Sequence, residues 1–351
     1  MNIALIYCND VKYGGWVTYT HHLYNVISTF GKCAVFRFGK KFRQVVKESI
    51  PTVYLDGKDK VRMSKVLNQF DIIHIVNAVC EKEVKRFKFG ECFPEYNILA
   101  LCRKPIIMTY HDPGECKSSP KSLQFSKSGK ISGFLYPRPQ VKSFFDSLGF
   151  TKNSKYLPKP FIRSCATSGN NKENEVVSIS RLDYDKYLEF LIQASNTINY
   201  PIKIYGFANR LYVFHKLEKL GWTLNNSMYK GEYSNEERNI ILSKAKLLVD
   251  MSAIANDGGG TQYTFLEAFD CGTIPILNSK WIVNPDTDEL KNGINFIAVA
   301  TSAELSMQVN SIMENEILLT KIRSNNYKFL EEYSLNKLSK LYYDYYKSVL
   351  K

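Results

Sequence analysis

The feature that most constrains this 351-residue chain is a rhythm that runs twice along it. Short apolar runs alternate with segments whose apolar residues recur every three or four positions. Residues 2–8 are such a run and predict a buried strand. A polar turn with Gly14-Gly15 follows. Then Trp16, Tyr19, Leu23, Val26, Ile27 and Phe30 recur at helical spacing, and Gly31 suits the position just past a helix end. Strand-like runs return at 33–38, 52–55, 71–76 and 105–110, with helical patterns between most of them. Strands alternating with helices imply a parallel sheet with crossover connections.

The stretch 164–174 is small and polar and predicts a linker. After it the rhythm restarts. Strands are predicted at 176–180, 201–205, 246–251 and 273–277, with helices at 187–197 and ending near Gly221, and the last fifty residues read as helical. No internal repeat or low-complexity tract appears. The predicted architecture is α/β, with two Rossmann-like domains across a cleft. The first spans 1–163 and the second 175–332. A C-terminal helix, 333–351, is expected to pack back toward the first domain. Each domain is long enough to bury an ordinary core. In such sheets ligands sit outside the carboxyl ends of the strands.

Charge separates the two halves. Residues 1–165 hold 27 Lys and Arg against 12 Asp and Glu, whereas 166–351 hold 20 against 22, so the first half carries all of the +13 excess. Its basic clusters are Lys40, Lys41 and Arg43, then Lys82, Lys85, Arg86 and Lys88, then Lys117, Lys121, Lys127 and Lys130. One cluster alone would read as a solvated surface. Three in one domain point to a polyanionic partner, and nucleic acid and an anionic membrane face both fit. No apolar run has the roughly 18 residues of a membrane span, and the first ten residues lack the basic start of a signal peptide. Eight cysteines are scattered with no CxxC pair or Cys/His cluster, which argues against structural zinc and suits reduced, dispersed thiols in a cytoplasm.

Three motifs carry candidate chemistry. Ser180-Arg181-Leu182-Asp183-Tyr184-Asp185-Lys186 follows a strand and opens a helix. Arg181 and Lys186 at a strand's carboxyl end suit a diphosphate, whose charge must be neutralised before it can leave. A surface loop with two ordinary basic residues fits the same spacing. Asp257-Gly258-Gly259-Gly260-Thr261-Gln262-Tyr263-Thr264-Phe265-Leu266-Glu267 is a glycine run feeding a helix. Glycines let backbone N–H groups approach phosphate oxygens, the helix start adds partial positive charge, and Glu267 lies within reach of ribose hydroxyls. The run matches neither GxGxxG nor a Walker pattern. In Thr109-Tyr110-His111-Asp112, at a strand end, His111 suits a sugar hydroxyl and Asp112 an acceptor, although an HD pair capping a turn is the plainer reading. His74 reads as a core histidine.

Together these motifs resemble the retaining glycosyltransferases of family four, which have the GT-B fold, and the resemblance spans nearly the whole chain. The segment Tyr263-Thr264-Phe265-Leu266-Glu267 through Cys271-Gly272-Thr273-Ile274-Pro275 is similar to the YTxLExxxCGTIP pattern of the family's DNA-modifying branch, the phage alpha-glucosyltransferases that act on hydroxymethylcytosine. Tyr110-His111-Asp112 and Gly14-Gly15-Trp16-Val17-Thr18 resemble the same branch. The resemblance implies a donor-binding set of Gly14, Gly15, Arg181, Lys186, Gly206, Gly259, Gly260, Tyr263, Thr264 and Glu267. It implies that His111 and Asp112 are catalytic. Two positions depart from the family. Gly259 stands where most members have a second glutamate, which leaves the sugar open between glucose and a pentose such as arabinose. Tyr187 replaces a glycine after the lysine.

The expected reaction is transfer of a sugar from a UDP-sugar co-substrate, with no tightly bound cofactor or metal. The acceptor is hydroxymethylated cytosine in double-stranded DNA, and anomeric configuration is retained. The Lys82–Lys88 and Lys117–Lys130 clusters would grip phosphates. The chain is expected to act as a monomer in the cytoplasm (a host's, if phage-encoded) with no membrane partner. Two alternatives stay open: a transferase building a lipid-linked or surface glycan, and a silent module that binds nucleic acid or nucleotide sugar.

Overall fold

A computed structural model describes residues 1–7, 15–38, 50–55, 59–76, 98–111, 127–139, 141–147, 149, 153–165, 172–253 and 260–351. They form two compact units, Met1–Ile162 with Tyr333–Lys351, and Arg163–Glu332.

The described strands of the first unit are β1 (Asn2–Tyr7), β2 (Lys32–Phe38), β3 (Thr52–Leu55), β4 (Ile72–Ile75), β5 (Ile106–Thr109), β6 (Ile131–Tyr136) and β7 (Ser154–Tyr156). All pairings are parallel, in the order β3-β2-β1-β4-β5-β6-β7. Every residue of β4 and β5 is buried, as strands covered on both faces require. Helix α1 (Gly15–Ser28) turns Tyr19, Leu23, Val26 and Ile27 inward at helical spacing. Helix α2 (Lys60–Leu67) starts at Asp59, whose carboxylate accepts the Arg62 N–H. Helix α3 (Val141–Ser147) lies between β6 and β7.

The second unit repeats the plan. Its strands are β8 (Glu173–Ile179), β9 (Ile202–Tyr205), β10 (Tyr229–Gly231), β11 (Ala245–Asp250), β12 (Ile274–Asn278) and β13 (Ile297–Val299). All are parallel, in the order β10-β9-β8-β11-β12-β13. Counted from β8 this is the 3-2-1-4-5-6 order of a Rossmann sheet, whose order reverses between β8 and β11. Its helices are α4 (Glu189–Ala194), α5 (Arg210–Tyr212), α6 (Asn235–Lys244), α7 (Tyr263–Asp270), α8 (Ser302–Ile312) and α9 (Glu316–Glu331). A full capping box of Ser234 and Glu237 starts α6.

The predicted linker is anchored at both ends. Asp270 is buried, and its Oδ2 accepts the Ser164 and Cys165 N–H groups at 2.8 Å while Oδ1 pairs with Arg163 Nε at 2.7 Å. A buried carboxylate must find donors, and this stretch of backbone supplies them. Lys172 caps the end of α6 through the Leu242 and Ala245 carbonyls, both at 2.9 Å, and β8 begins at Glu173. Cys165 and Cys271 are free thiols, and Cys271 Sγ donates to the Asn239 carbonyl at 3.8 Å.

Helix α10 (Leu335–Val349) returns the chain to the first unit and buries Leu338, Tyr342, Tyr345, Tyr346 and Val349. The Tyr345 hydroxyl lies 3.1 Å from the Phe134 carbonyl oxygen, and only a glycine at 133 leaves room for it. The Tyr346 hydroxyl meets His74 Nδ1 at 2.7 Å, and His74 Nε2 meets Thr109 Oγ1 at 2.7 Å. His74 is fully buried in this network, and burial lowers its pKa to about 3.

Candidate functional site

In the second unit the candidate residues gather at the carboxyl ends of the strands. β8 ends at Ile179, so Arg181 follows the strand by two residues. The segment after it is tied to the segment after β9: Leu182 N–H donates to Phe207 O at 2.9 Å and Asn209 N–H to Leu182 O at 3.0 Å. Arg181 is half exposed and reaches Asp183 at 2.9 Å and Asp185 at 3.4 Å. Such screened pairs are weak, so an incoming diphosphate can exchange for them at low cost. Lys186 makes no ion pair among the described residues. The next residue, Tyr187, holds φ at 47°, the left-handed region where glycine is at ease. The turn keeps a glycine-like backbone although the glycine is gone. Gly206 has a local structural reason: at φ 140° it lies so close to the Ser180 carbonyl that no side chain fits.

Helix α7 starts at Gln262 with no side-chain cap and no acidic residue in its first turn. Tyr263 and Thr264 open it, so its first N–H groups and its partial positive charge are available to an anion. Gly260 precedes the helix and its carbonyl accepts Trp281 Nε1–H at 2.8 Å. One turn in, Glu267 is 7% exposed. Its Oε1 pairs with Arg238 Nη1 on α6 at 2.7 Å. Its Oε2 accepts no hydrogen bond among the described residues. Burial raises the Glu267 pKa and Arg238 opposes the rise. No hydrogen bond or ion pair joins Arg181 or Lys186 to Glu267; they share the edge of one sheet.

In the first unit His111 stands just past β5. Its Nε2 donates to the Val76 carbonyl at 2.8 Å, which bridges the ends of β4 and β5 and leaves the lone pair on Nδ1. Tyr19 of α1 meets the ring edge-on at 4.7 Å. Burial pushes the His111 pKa down to about 3; the Val76 bond opposes this, and the charges of Lys159 and Arg138 add to it. His111 is therefore neutral at physiological pH. Gly15 opens α1 with open space around it.

Lys127 and Lys130 are exposed and precede β6, with Lys130 close enough to Cys102 to act on its thiol. They stand at the amino edge of the sheet, about 20 Å of strand from the edge that holds His111. Gly14, Asp112, Gly259 and the basic residues Lys40, Lys41, Arg43, Lys82, Lys85, Arg86, Lys88, Lys117 and Lys121 lie outside the described residues.

Three cations are absent from the sequence expectations. Arg238 escapes notice because nothing near it in sequence signals a buried carboxylate partner. Arg138 and Lys159, at 8% and 4% exposure, follow β6 and β7 and act on His111. Their signal is the one that marked Arg181, a cation just past an apolar strand, but β6 and β7 were not expected. Among the described residues, no cluster of three His, Cys, Asp or Glu residues could hold a metal, and no helix is long and apolar enough to cross a membrane.

No protein-family model matches the chain, and no curated protein matches it in sequence. Solved structures match over its whole length. Anabaena HepE in complex with UDP and glucose superposes with a TM-score of 0.73 at 16% identity, covering 99% of this chain and 100% of that one. An alpha-glucosyltransferase in complex with UDP-glucose and DNA containing an abasic site gives 0.74 at 13% identity, covering 100% of both chains. A glycosyltransferase from Rickettsia africae gives 0.69 at 13% identity, covering 100% of this chain and 99% of that one. Two parallel-sheet units and these likenesses over the full length give the chain the GT-B fold of glycosyltransferases.

Proposed function

We propose that this chain is a UDP-sugar-dependent glycosyltransferase that moves a sugar, with retention, onto the hydroxymethyl group of modified cytosine in double-stranded DNA. The observation that carries the donor half is the carboxyl edge of the second sheet. It presents exchangeable cations at Arg181 and Lys186, an uncapped helix start at Tyr263, and an oriented carboxylate oxygen on Glu267. Those groups match a diphosphate and a ribose in turn. Arg181, Lys186 and the start of α7 stabilise charge as it develops on the departing diphosphate. The bond from the anomeric carbon to the diphosphate breaks, and the bond to the acceptor oxygen forms on the same face. The acceptor proton passes to a diphosphate oxygen. Neutral His111, held by Val76, positions a sugar hydroxyl, and Asp112 serves the acceptor.

The acceptor half rests on charge and on likeness. All of the chain's positive excess falls in residues 1–165, and a structural neighbour of the same fold was solved with UDP and a 13-mer DNA containing an HMU base. A hydroxymethyl group on the five position of a pyrimidine projects into the major groove, where it is reached directly or by extruding the base. Mass spectrometry of hydroxymethylcytosine DNA incubated with the protein and a panel of UDP-sugars tests the whole reading. A mass gain of one hexose or pentose on that DNA alone is expected. Sugar transfer to a lipid-linked acceptor with none to DNA would remove DNA from the reading, and turnover on no acceptor would remove the enzyme.

A further inference from the structure

The polar contacts of Glu267 divide unevenly. One carboxylate oxygen is held by Arg238, and the other takes no hydrogen bond among the described residues. Arg238 is itself held in place. It sits in the first turn of α6, behind the Ser234–Glu237 capping box, and Nη1 also reaches Asn235 Oδ1 at 3.3 Å. Its Nε is buried without a hydrogen-bond partner. A guanidinium that leaves one donor unused in the interior is costly, so the Glu267 contact carries most of the reason for its burial. Around the pair stand Tyr233, whose hydroxyl donates to Ile179 O at 3.1 Å, and Asp250 at the end of β11. A buried carboxylate without a cation would turn away or take up a proton, and either change would end its use as an acceptor.

We infer that Arg238 is a positioning residue for the nucleotide ribose: it holds Glu267 Oε1, leaves Oε2 turned to receive a ribose hydroxyl, and so sets the preference for ribonucleotide over deoxyribonucleotide donors. This rests on the assignment of Glu267 to the ribose.

Calorimetric titration of UDP and 2′-deoxy-UDP into wild type, Arg238→Met, Arg238→Lys, Glu267→Gln and the Arg238→Met/Glu267→Gln double variant, between pH 6 and 9, tests it. Wild type should prefer UDP and show a flat profile. Arg238→Met should lose about tenfold or more in UDP affinity at pH 6, as expected for a lost charged hydrogen bond. That loss should shrink as pH rises, because without its cation the buried Glu267 holds a proton to higher pH and becomes an acceptor only above it. Tyr233 and Asp250 are unsubstituted in every variant. Arg238→Lys should restore part of the affinity, and in the Glu267→Gln background Arg238→Met should add little. A uniform loss at all pH values, or an equal loss in both backgrounds, would mean a merely structural Arg238 and overturn the inference. Wild-type affinity in Arg238→Met would overturn it too. If wild type bound no UDP, the proposed function itself would fail, and if Glu267→Gln kept full UDP affinity, the ribose assignment would fail.

Discussion

The carboxyl edges of the two sheets handle polar groups in opposite ways. At the second edge charge is kept as charge: Arg181 is half exposed between two aspartates, and buried Glu267 is balanced by Arg238. At the first edge the central group is an uncharged imidazole, with its proton committed to Val76 and burial, aided by two cations, holding it neutral. A charged edge matches a nucleotide diphosphate. A neutral edge with fixed donors and acceptors matches hydroxyls, whose recognition depends on direction more than on charge. The difference teaches that one architecture repeated within a chain can be given two chemistries by which side chains its strand ends bury.

Measurements at each edge can break that contrast. The largest effect is expected for nucleotide binding. Glu267→Ala should weaken UDP about a hundredfold and Arg181→Ala about tenfold, the smaller figure reflecting solvent screening, while His111→Ala leaves UDP affinity within a few fold. Calorimetry with UDP reads all three, and similar losses at both edges would erase the distinction.

Acid should find the first unit before the second. His74 and His111 have folded pKa values near 3, below the roughly 6.5 of an unfolded histidine. The folded state therefore binds fewer protons than the unfolded state in that window. Their contribution is complete above about pH 6.5 and is lost as pH falls toward 3, by up to about 1.4 kcal/mol per pH unit for each histidine. The second unit's histidine, His215, is exposed. Denaturant titrations from pH 7.5 to 4.5 should show stability falling with acid. His74→Gln should lower stability at pH 7 by about 1–3 kcal/mol yet flatten the slope by about one proton. An unchanged slope would show that protons enter elsewhere.

Salt dependence sharpens the DNA reading further. Lys117→Glu with Lys121→Glu should reduce the magnitude of the salt dependence of DNA binding by about two contacts, roughly 0.9 each. Lys127→Glu with Lys130→Glu, on the amino edge, should change it by less than one. Gel shifts over a salt series decide it, and equal changes would put the amino edge that holds Lys127 and Lys130 against the duplex as well. The smallest effect belongs to Tyr187→Gly. Relief of the left-handed backbone is offset by a looser unfolded chain and by the lost contact with the Phe190 ring, so stability should stay within about 1 kcal/mol in thermal melts.

How much was legible follows from where each signal lives. The strands at 33–38, 52–55 and 105–110 announce themselves because their apolar residues are contiguous, and Arg181 and His111 are readable as the polar residues that end such runs. β6 hides because Gly133 interrupts ISGFLY and Pro137 follows it, and β7 has only three residues. With those strands went Arg138 and Lys159, and Lys130, which reads as one cluster with Lys117 in sequence, is set by β6 at the amino edge of its sheet. Glu267 was found through its motif, but its partner was not, since an ion pair between two helices leaves no local pattern.

By itself the sequence determined that this chain folds as two successive parallel α/β units, because the alternation of strand and helix periods is local and every short stretch repeats the instruction. Only the tertiary structure decided which charges meet, which histidines stay neutral and which oxygen of Glu267 is left for a ligand. Those outcomes depend on burial and on partners distant along the chain, and no short stretch of residues encodes either.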